Sequence, residues 1–182
     1  MNESLTVDTK CFDSLVEKLL SHDGAAVIDN GSNTFAPLLA YMVENGIVDF
    51  LQESGKKVYI HTIVGGGDNL IDTAAGFKSI AEGIPEAPLV LWLNEHFGEL
   101  KSPDDKHFTD MAVYRENRDR VTGTVLLAAR NHQTFGSDIA RMNKLRMTID
   151  EVLASPEFAL MEKKRIRDVA RDIYAQLDEV TF

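Results

Sequence analysis

Two apolar stretches decide the fold: residues 57–64 read KVYIHTIV, and residues 88–94 read PLVLWLN. Both are nearly continuous apolar runs rich in β-branched or aromatic residues, a pattern typical of parallel strands that are covered on both faces. Two shorter strands are predicted at residues 25–29 (AAVID) and 121–127 (VTGTVLL). The sequence therefore predicts a buried parallel sheet built from these four segments.

Segments with helical spacing separate these strands. One helix is predicted over residues 68–81 from its apolar periodicity. The last helix is predicted to start at Ser155 and Pro156, because proline is favoured at the first helical position. Alternating strands and helices predict an α/β fold, a three-layer parallel sheet with helices on both faces, in one domain over residues 1–182. Another helix is predicted between the first two strands, with a break at Gly46 and an apolar surface that continues after the break. Its apolar residues are Leu38, Leu39, Met42, Val43, Val48 and Leu51.

The composition is that of an ordinary globular protein. The chain has 182 residues, of which 44% are hydrophobic and 26% charged, and this length suffices for one complete core. The apolar runs are too short to cross a bilayer, and the first ten residues show no secretory signal. Cys11 is the single cysteine, which excludes a disulfide within the chain. We therefore expect a cytoplasmic protein without a membrane segment.

The charge balance argues against direct DNA binding. Nineteen basic residues face 29 acidic ones, for a net charge of −10, whereas binding to nucleic acid needs concentrated positive charge. The last predicted helix carries a basic cluster in which acidic residues alternate with the basic ones. We interpret the cluster as a solvated face with i,i+4 pairs. Its basic members are Lys163, Lys164, Arg165, Arg167 and Arg171.

The segment VIDNGSNT (residues 27–34) places an aspartate at the predicted end of a strand. Open parallel sheets bind ligands at that end. Asp29 can hold a Mg²⁺-bound water there, and the free N–H groups of a helix capped by Ser32 or Asn33 can meet a phosphate. The alternative is that Asp29 and Asn30 only organise a tight turn. The pattern alone leaves both interpretations open.

Two further strand ends carry candidate binding sequences. Gly65, Gly66 and Gly67 follow the second predicted strand, but the Lys-Ser/Thr pair of a P-loop does not follow them, and Asp68 would repel an anion. A flexible turn capped by Asp68 is the better interpretation. Asn94 ends the third strand, where its amide donor and acceptor suit a nucleobase edge, although a turn-forming asparagine is the simpler alternative.

The cysteine and the histidines are interpreted as structural residues rather than as catalysts or metal ligands. Cys11 lies on a predicted amphipathic helix without the local signature of a nucleophile. His61 interrupts an apolar strand, which favours a hydrogen-bonded core histidine over a catalyst. The five histidines show no metal-ligand spacing, so no metal site is predicted.

Four blocks in order resemble one known family. They are VIDNGSNTFAPLLAYMVENGIVDFL (residues 27–51), VYIHTIVGGGDNLIDTAAGF (58–77), LVLWLNEHFG (89–98) and TFGSDIARMNKLRMTIDEVL (134–153). The chain resembles the TraL family of plasmid conjugal transfer, which with its StbB relatives is similar to the ParA/MinD group of deviant P-loop ATPases. The resemblance extends over residues 12–177. It implies a P-loop NTPase-like fold and a nucleotide-binding role in plasmid conjugation or stability.

The resemblance also implies roles for particular residues. Asp29 would be the catalytic aspartate after a Walker B-like strand. ATP and Mg²⁺ would be the cofactors of the intact family, and the partners would be a second copy of the chain and plasmid transfer or partition proteins. The implied nucleotide contacts are Asn30, Gly31, Ser32, Asn94 and Arg130. The implied dimer interface contains Gly66, Gly67, Asp68 and Asp72.

One departure from the family concerns its chemistry. The chain contains no KGGVGK[ST]-type loop, so the lysine and the Ser/Thr that stabilise phosphoryl transfer are absent from it. We therefore expect the C-terminal portion of a longer member or a degenerate relative, without bound ATP or Mg²⁺ and inactive as an ATPase by itself. Two alternatives stay open: a non-enzymatic interaction module with the same dimer surface, and a flavodoxin-like binder of a small anionic ligand at residues 30–34.

Overall fold

The computed structural model describes residues 8–182. Contacts divide the chain into two compact units: residues 8–60 with Lys78–Pro88, and His61–Phe77 with Leu89–Phe182. The prediction of one domain over residues 1–182 stays a prediction. The strands are β1 (Ile60–Gly65), β2 (Leu89–Asn94) and β3 (Val121–Leu127). The α-helices are α1 (Cys11–Ser21), α2 (Ser32–Glu44), α3 (Ile47–Glu53), α4 (Leu70–Gly83), α5 (Ala112–Asn117), α6 (Ser137–Lys144), α7 (Ile149–Ala154) and α8 (Leu160–Leu177).

The three strands form one sheet in the order β1-β2-β3. β2 and β3 are parallel, and Trp92 lies opposite Val125 in their register. β2 is the central strand, and its first three residues, Leu89, Val90 and Leu91, are fully buried. The continuous apolar sequence of β2 therefore matches a strand that is paired on both edges and covered on both faces, and the predicted α/β class is confirmed.

The strand predicted at residues 25–29 is absent from the structure. Residues 25–30 have no regular secondary structure, and none of them makes a backbone hydrogen bond to another residue of the described chain. Val27 is 94% exposed and Ile28 46% exposed. The prediction was wrong because an apolar β-forming sequence becomes a strand only where a neighbouring strand accepts its hydrogen bonds.

The first unit has a helical core made by α1, α2 and α3. Val16 of α1 packs against Ile47 and Leu51 of α3. The predicted break at Gly46 is confirmed, because Gly46 adopts a left-handed conformation (φ 57°) between α2 and α3. Tyr41 of α2 donates a hydrogen bond to the Asp13 carboxylate of α1 at 2.7 Å.

The second unit has its own core around the sheet. Phe77, at the end of the α4 segment that belongs to this unit, is fully buried and meets the buried Phe108 edge to face, with ring centroids 5.6 Å apart. On β3, the Gln176 side chain of α8 accepts from the Leu126 amide at 2.6 Å and donates to the Leu126 carbonyl at 3.1 Å. An amide side chain thus binds an edge strand as another strand would.

The last helix begins later than the sequence predicts. α8 starts at Leu160, whereas Ser155 and Pro156 lie in a turn in which the Ser155 hydroxyl accepts from the Glu157 amide at 3.1 Å. The Glu162 carboxylate accepts from the Ala159 amide at 2.6 Å, and this hydrogen bond is the main reason that the pKa of Glu162 is lowered. The start of α8 is stabilised by this hydrogen bond from the Ala159 amide to the Glu162 carboxylate rather than by the proline.

The i,i+4 pairing predicted for the basic cluster of α8 is confirmed in part. Lys164 binds Asp168 at 2.6 Å in an i,i+4 pair, and Arg171 binds the same carboxylate at 3.3 Å. Arg165 instead reaches the buried Asp138 of α6. None of the helices in the described part of the chain is both long and apolar enough to cross a membrane.

We predict that Phe77→Ala lowers the free energy of unfolding by about 3–5 kcal/mol, because it leaves a cavity beside Phe108. Urea denaturation followed by circular dichroism measures the change. Phe97→Ala is the matched control, since Phe97 is 62% exposed and its removal should change stability by less than about 0.5 kcal/mol. Equal losses for the two variants would contradict the assignment of Phe77 to the core.

Candidate functional site

The candidate site is the carboxyl edge of the sheet, where the segments that follow β1, β2 and β3 meet. The Gly66 amide donates to the Asn94 carbonyl at 2.8 Å, and the Glu95 amide donates to the Leu127 carbonyl at 3.0 Å. Main-chain hydrogen bonds thus join all three strand ends. Ligands of open parallel sheets bind at such an edge.

The glycine loop after β1 is tightly packed. The Gly67 amide donates to the Glu99 carbonyl at 2.9 Å, and a Cβ added at Gly66 would overlap the carbonyl of Gly98. Gly67 has a φ of +60°, and a Cβ there would overlap the carbonyl of Phe97. The glycines are required by this close approach of two backbone segments. The predicted turn between β1 and α4 is present, and its flexibility stays a prediction.

The predicted cap at Asp68 is wrong. No side chain caps the 3₁₀ turn Gly67–Asn69, which leads directly into α4. The loop is instead fastened by Thr73 of α4, whose hydroxyl accepts from the Gly65 amide at 3.0 Å and donates to the Asn69 carbonyl at 2.6 Å. Asp68 and Asp72 are exposed beside this contact.

Asn94 and Glu95 connect the ends of β2 and β3. The Asn94 side-chain oxygen accepts from the His96 amide at 3.0 Å, which is the turn-forming arrangement predicted as the simpler alternative. The Glu95 carboxylate accepts from the Ala129 amide at 3.0 Å. The side-chain oxygen of Asn94 thus has a structural partner, whereas its amide nitrogen makes no hydrogen bond within the described chain.

The loop after β3 holds Arg130. The guanidinium of Arg130 binds the Asp172 carboxylate at 2.6 Å and lies 5.3 Å above the ring of Phe135. Asn131 caps the π-helical turn His132–Gly136 by accepting from the Gln133 amide at 2.9 Å. The structure thus places Arg130 at the predicted edge, where it ties the loop to α8.

An open cleft of about 400 Å³ lies along this edge. Its walls combine apolar surface with charges of both signs. Lys101 lies between Glu99 at 3.3 Å and Asp105 at 3.2 Å, and its pKa is raised, first by the hydrogen bond to Asp105 and then by that to Glu99. The lining residues are Glu95, Gly98, Glu99, Leu100, Lys101, His107 and Ala129.

Exposed aromatic rings accompany the cleft residues on the same loops. The His96 ring meets Phe97 edge to face at 4.7 Å and stacks on His132 at 6.3 Å. In the cleft wall, His107 Nδ1 is 2.8 Å from the Thr109 hydroxyl and accepts from the Thr109 amide at 3.3 Å. An acceptor role for Nδ1 places the ring proton of the neutral imidazole on Nε2.

The other predicted ligand residues belong to the first unit. Asp29, Asn30 and Gly31 are exposed and have no regular secondary structure, and Ser32 is the first residue of α2. The cap predicted at Ser32 or Asn33 is wrong, because Gly31 occupies the N-cap and no side chain caps α2. The catalytic role of Asp29 and the nucleotide contacts of its neighbours stay predictions.

Several residues that build this edge are not indicated by any sequence pattern. Thr73, Glu95, Gly98 and Asp172 hold it together, yet none belongs to a recognisable motif. The sequence shows Gly98 as a loop glycine and Glu95 as the residue after Asn94, but neither signal indicates a role at the edge. Asp172 lies 42 positions from Arg130, so only the fold pairs them. Among residues 8–182, no group of three or more metal-ligating side chains is close enough to hold a metal ion.

Comparison with known proteins identifies the family. Two proteins of Escherichia coli, both named Protein TraL, are each 36% identical to the chain over 173 residues, which is 94% of this chain and 71% of each relative. The chain belongs to the TraL family. No family model matches the TraL-family chain, and no solved structure matches it.

We predict that Gly66→Ala destabilises the TraL-family chain by about 1–3 kcal/mol, because the new methyl group forces the Gly98 backbone away. Gly76→Ala is the matched control: Gly76 lies in α4 with open space around its Cα, so alanine should stabilise the helix by about 0.5–1 kcal/mol. Urea denaturation measures both changes. Stabilisation by both substitutions would show that the loop does not need glycine at position 66.

Proposed function

We propose that this chain acts in plasmid conjugation and that the carboxyl edge of its sheet contacts the base of a purine nucleotide without hydrolysing the nucleotide. The similarity to TraL proteins supports the conjugation role. The observation that carries the binding role is the cleft at the ends of β2 and β3, whose lining residues Glu95 and Ala129 directly follow Asn94 and precede Arg130 in the sequence. We further propose that the sheet is part of a three-layer ParA/MinD-type fold, which its parallel β2–β3 pair supports.

A base fits this edge better than a triphosphate does. In the cleft, Leu100 and Ala129 offer apolar surface to a planar ring, and we propose that the amide nitrogen of Asn94, next to the lining residue Glu95, donates to a ring nitrogen. Phosphates, in contrast, would meet the carboxylates of Glu95 and Glu99 in the cleft wall. We therefore assign the cleft to the base.

The residues that the structure describes do not form a phosphate cradle. The amides of Gly66 and Gly67 already donate to Asn94 and Glu99, and Arg130 is held by Asp172. The triphosphate and Mg²⁺ that the family resemblance implies do not fit this edge, so we derive no hydrolytic step through them. Each missing charge-assisted hydrogen bond removes about 1.5–3 kcal/mol of binding free energy.

We predict a millimolar or undetectable dissociation constant for ATP, with no dependence on Mg²⁺. Isothermal titration calorimetry with and without Mg²⁺ is the measurement. Residual binding should fall in Asn94→Ala and persist in Asn143→Ala, which removes an exposed amide of α6 outside the cleft. A micromolar, Mg²⁺-dependent dissociation constant would overturn the proposal, because it would require a phosphate site that these residues do not supply.

A homodimer is part of the same proposal. Ile71 is 56% exposed at the start of α4 and lies between Asp68 and Asp72 in the sequence, within the segment assigned to the dimer interface with Gly66 and Gly67. A large exposed apolar side chain next to the glycine loop supports an interface there. The glycines themselves contact the Phe97–Gly98 backbone of the same chain, so we assign them to shaping the surface.

We predict that light scattering at micromolar concentration gives twice the chain mass of 20.2 kDa. Ile71→Glu should return the particle to the monomer mass, because burying a charge in an interface is costly. Leu160→Glu is the control, since Leu160 is 82% exposed on α8, outside the proposed interface. A monomer mass for the unmodified chain at every concentration, or a dimer unaffected by Ile71→Glu, would contradict the assignment.

A non-enzymatic interaction module is the second candidate function. It is favoured by the hydrogen bonds that the Gly66 and Gly67 amides donate within the chain, because these two donors are then not available to a ligand. Dimerisation without any ATP signal in calorimetry would support this candidate over the nucleotide-binding one. The partners would then be the plasmid transfer or partition proteins that the family resemblance implies.

A further inference from the structure

His61 is the only titratable side chain in the three strands of the sheet. The Trp92 indole N–H of β2 donates to His61 Nδ1 at 3.0 Å. The predicted hydrogen-bonded histidine is therefore confirmed, although His61 is solvent-accessible rather than part of the core. The hydrogen bond requires an unprotonated Nδ1, because the indole nitrogen can only donate.

The C-terminal segment Val180–Phe182 lies against the same strands. Val180 is buried, and its side chain occupies the space that a Cβ at Gly123 of β3 would need. The Phe182 ring stacks on the imidazole of His61, with an interplanar angle of 11° and centroids 6.1 Å apart. The His61 ring of β1 thus contacts both the Trp92 ring of β2 and the Phe182 ring.

We propose that residues 180–182 form a strap whose docking on the sheet is released when His61 takes up a proton. A proton on Nδ1 would place two N–H donors opposite each other across the Trp92 contact, and the imidazolium would gain by turning to water. That rotation would remove the face on which Phe182 stacks. Release of the strap would then uncover the apolar surface around Gly123.

Partial burial of the His61 ring, rather than a neighbouring charge, sets the direction of the effect. β1, β2 and β3 bring no charged side chain besides His61, and Asp178 and Glu179 precede the segment Val180–Phe182 in the sequence. Burial of the ring lowers the pKa of His61 below its ordinary value. Since the docked state has the lower pKa, its stability is complete above the ordinary pKa of about 6.5 and is lost as the pH falls through the lowered value.

The test follows two signals through a titration from pH 8 to pH 5. Trp92 is the only tryptophan, so its fluorescence reports the His61 contact, and the methyl resonances of Val180 in NMR report the strap. We expect both to change with one common midpoint below about 6.5 while the far-ultraviolet circular dichroism stays constant. A fluorescence change without a Val180 change would overturn the proposal, because an imidazolium also quenches indole directly.

Two variants show whether protonation of His61, rather than of another group, releases the strap. His61→Gln keeps a hydrogen-bond acceptor for Trp92 but cannot take up a proton, so both signals should become independent of pH in this range. Gly123→Ala should displace Val180 at every pH while Trp92 still responds to His61. If the Val180 resonances shift with the same midpoint in His61→Gln, another group drives the change and the proposal is wrong.

Discussion

The burial of β2 between two neighbouring strands is the constraint on which the second unit depends. A strand with both edges paired and both faces covered must be apolar along its length, and Leu89–Asn94 meets this requirement until its last residue. Polar residues can follow β2 only where neighbouring strands and side chains no longer bury the chain. The same constraint that makes β2 apolar therefore places Asn94 and Glu95 at the carboxyl edge, beside the segments that leave β1 and β3.

The carboxyl edge is held by hydrogen bonds within the chain itself. The amides of Gly66, Gly67 and Ala129 all donate to other parts of this edge, at distances between 2.8 and 3.0 Å. A phosphate-binding loop needs such donors free, because backbone N–H groups supply much of the binding to a phosphate. This arrangement preserves the shape of a ligand-binding edge while using its donors for packing, which is why we assign the cleft to a base.

The helices α6 and α8 show how the fold distributes charges that the sequence interleaves. Asp138 is buried and paired with Arg165, and Asp172 is directed to Arg130 on the loop after β3. Only Asp168 is paired within its own helix, with Lys164 and Arg171. Sequence spacing predicts the local pairs because residues three or four apart share a helical face. The contacts to α6 and to the β3 loop fix tertiary structure, and no spacing rule indicates them.

The sequence by itself determined the α/β class, the three strands at 57–64, 88–94 and 121–127 to within three residues, and the family. Apolar runs, helical periodicity and ordered blocks are local properties, so they can be read without coordinates. The tertiary structure decided that residues 25–29 form no strand, since a strand exists only through a partner, and that α8 begins at Leu160. It also decided why Gly66 and Gly67 are glycines, because the Phe97–Gly98 backbone that they contact lies about thirty residues away and only folding brings it there.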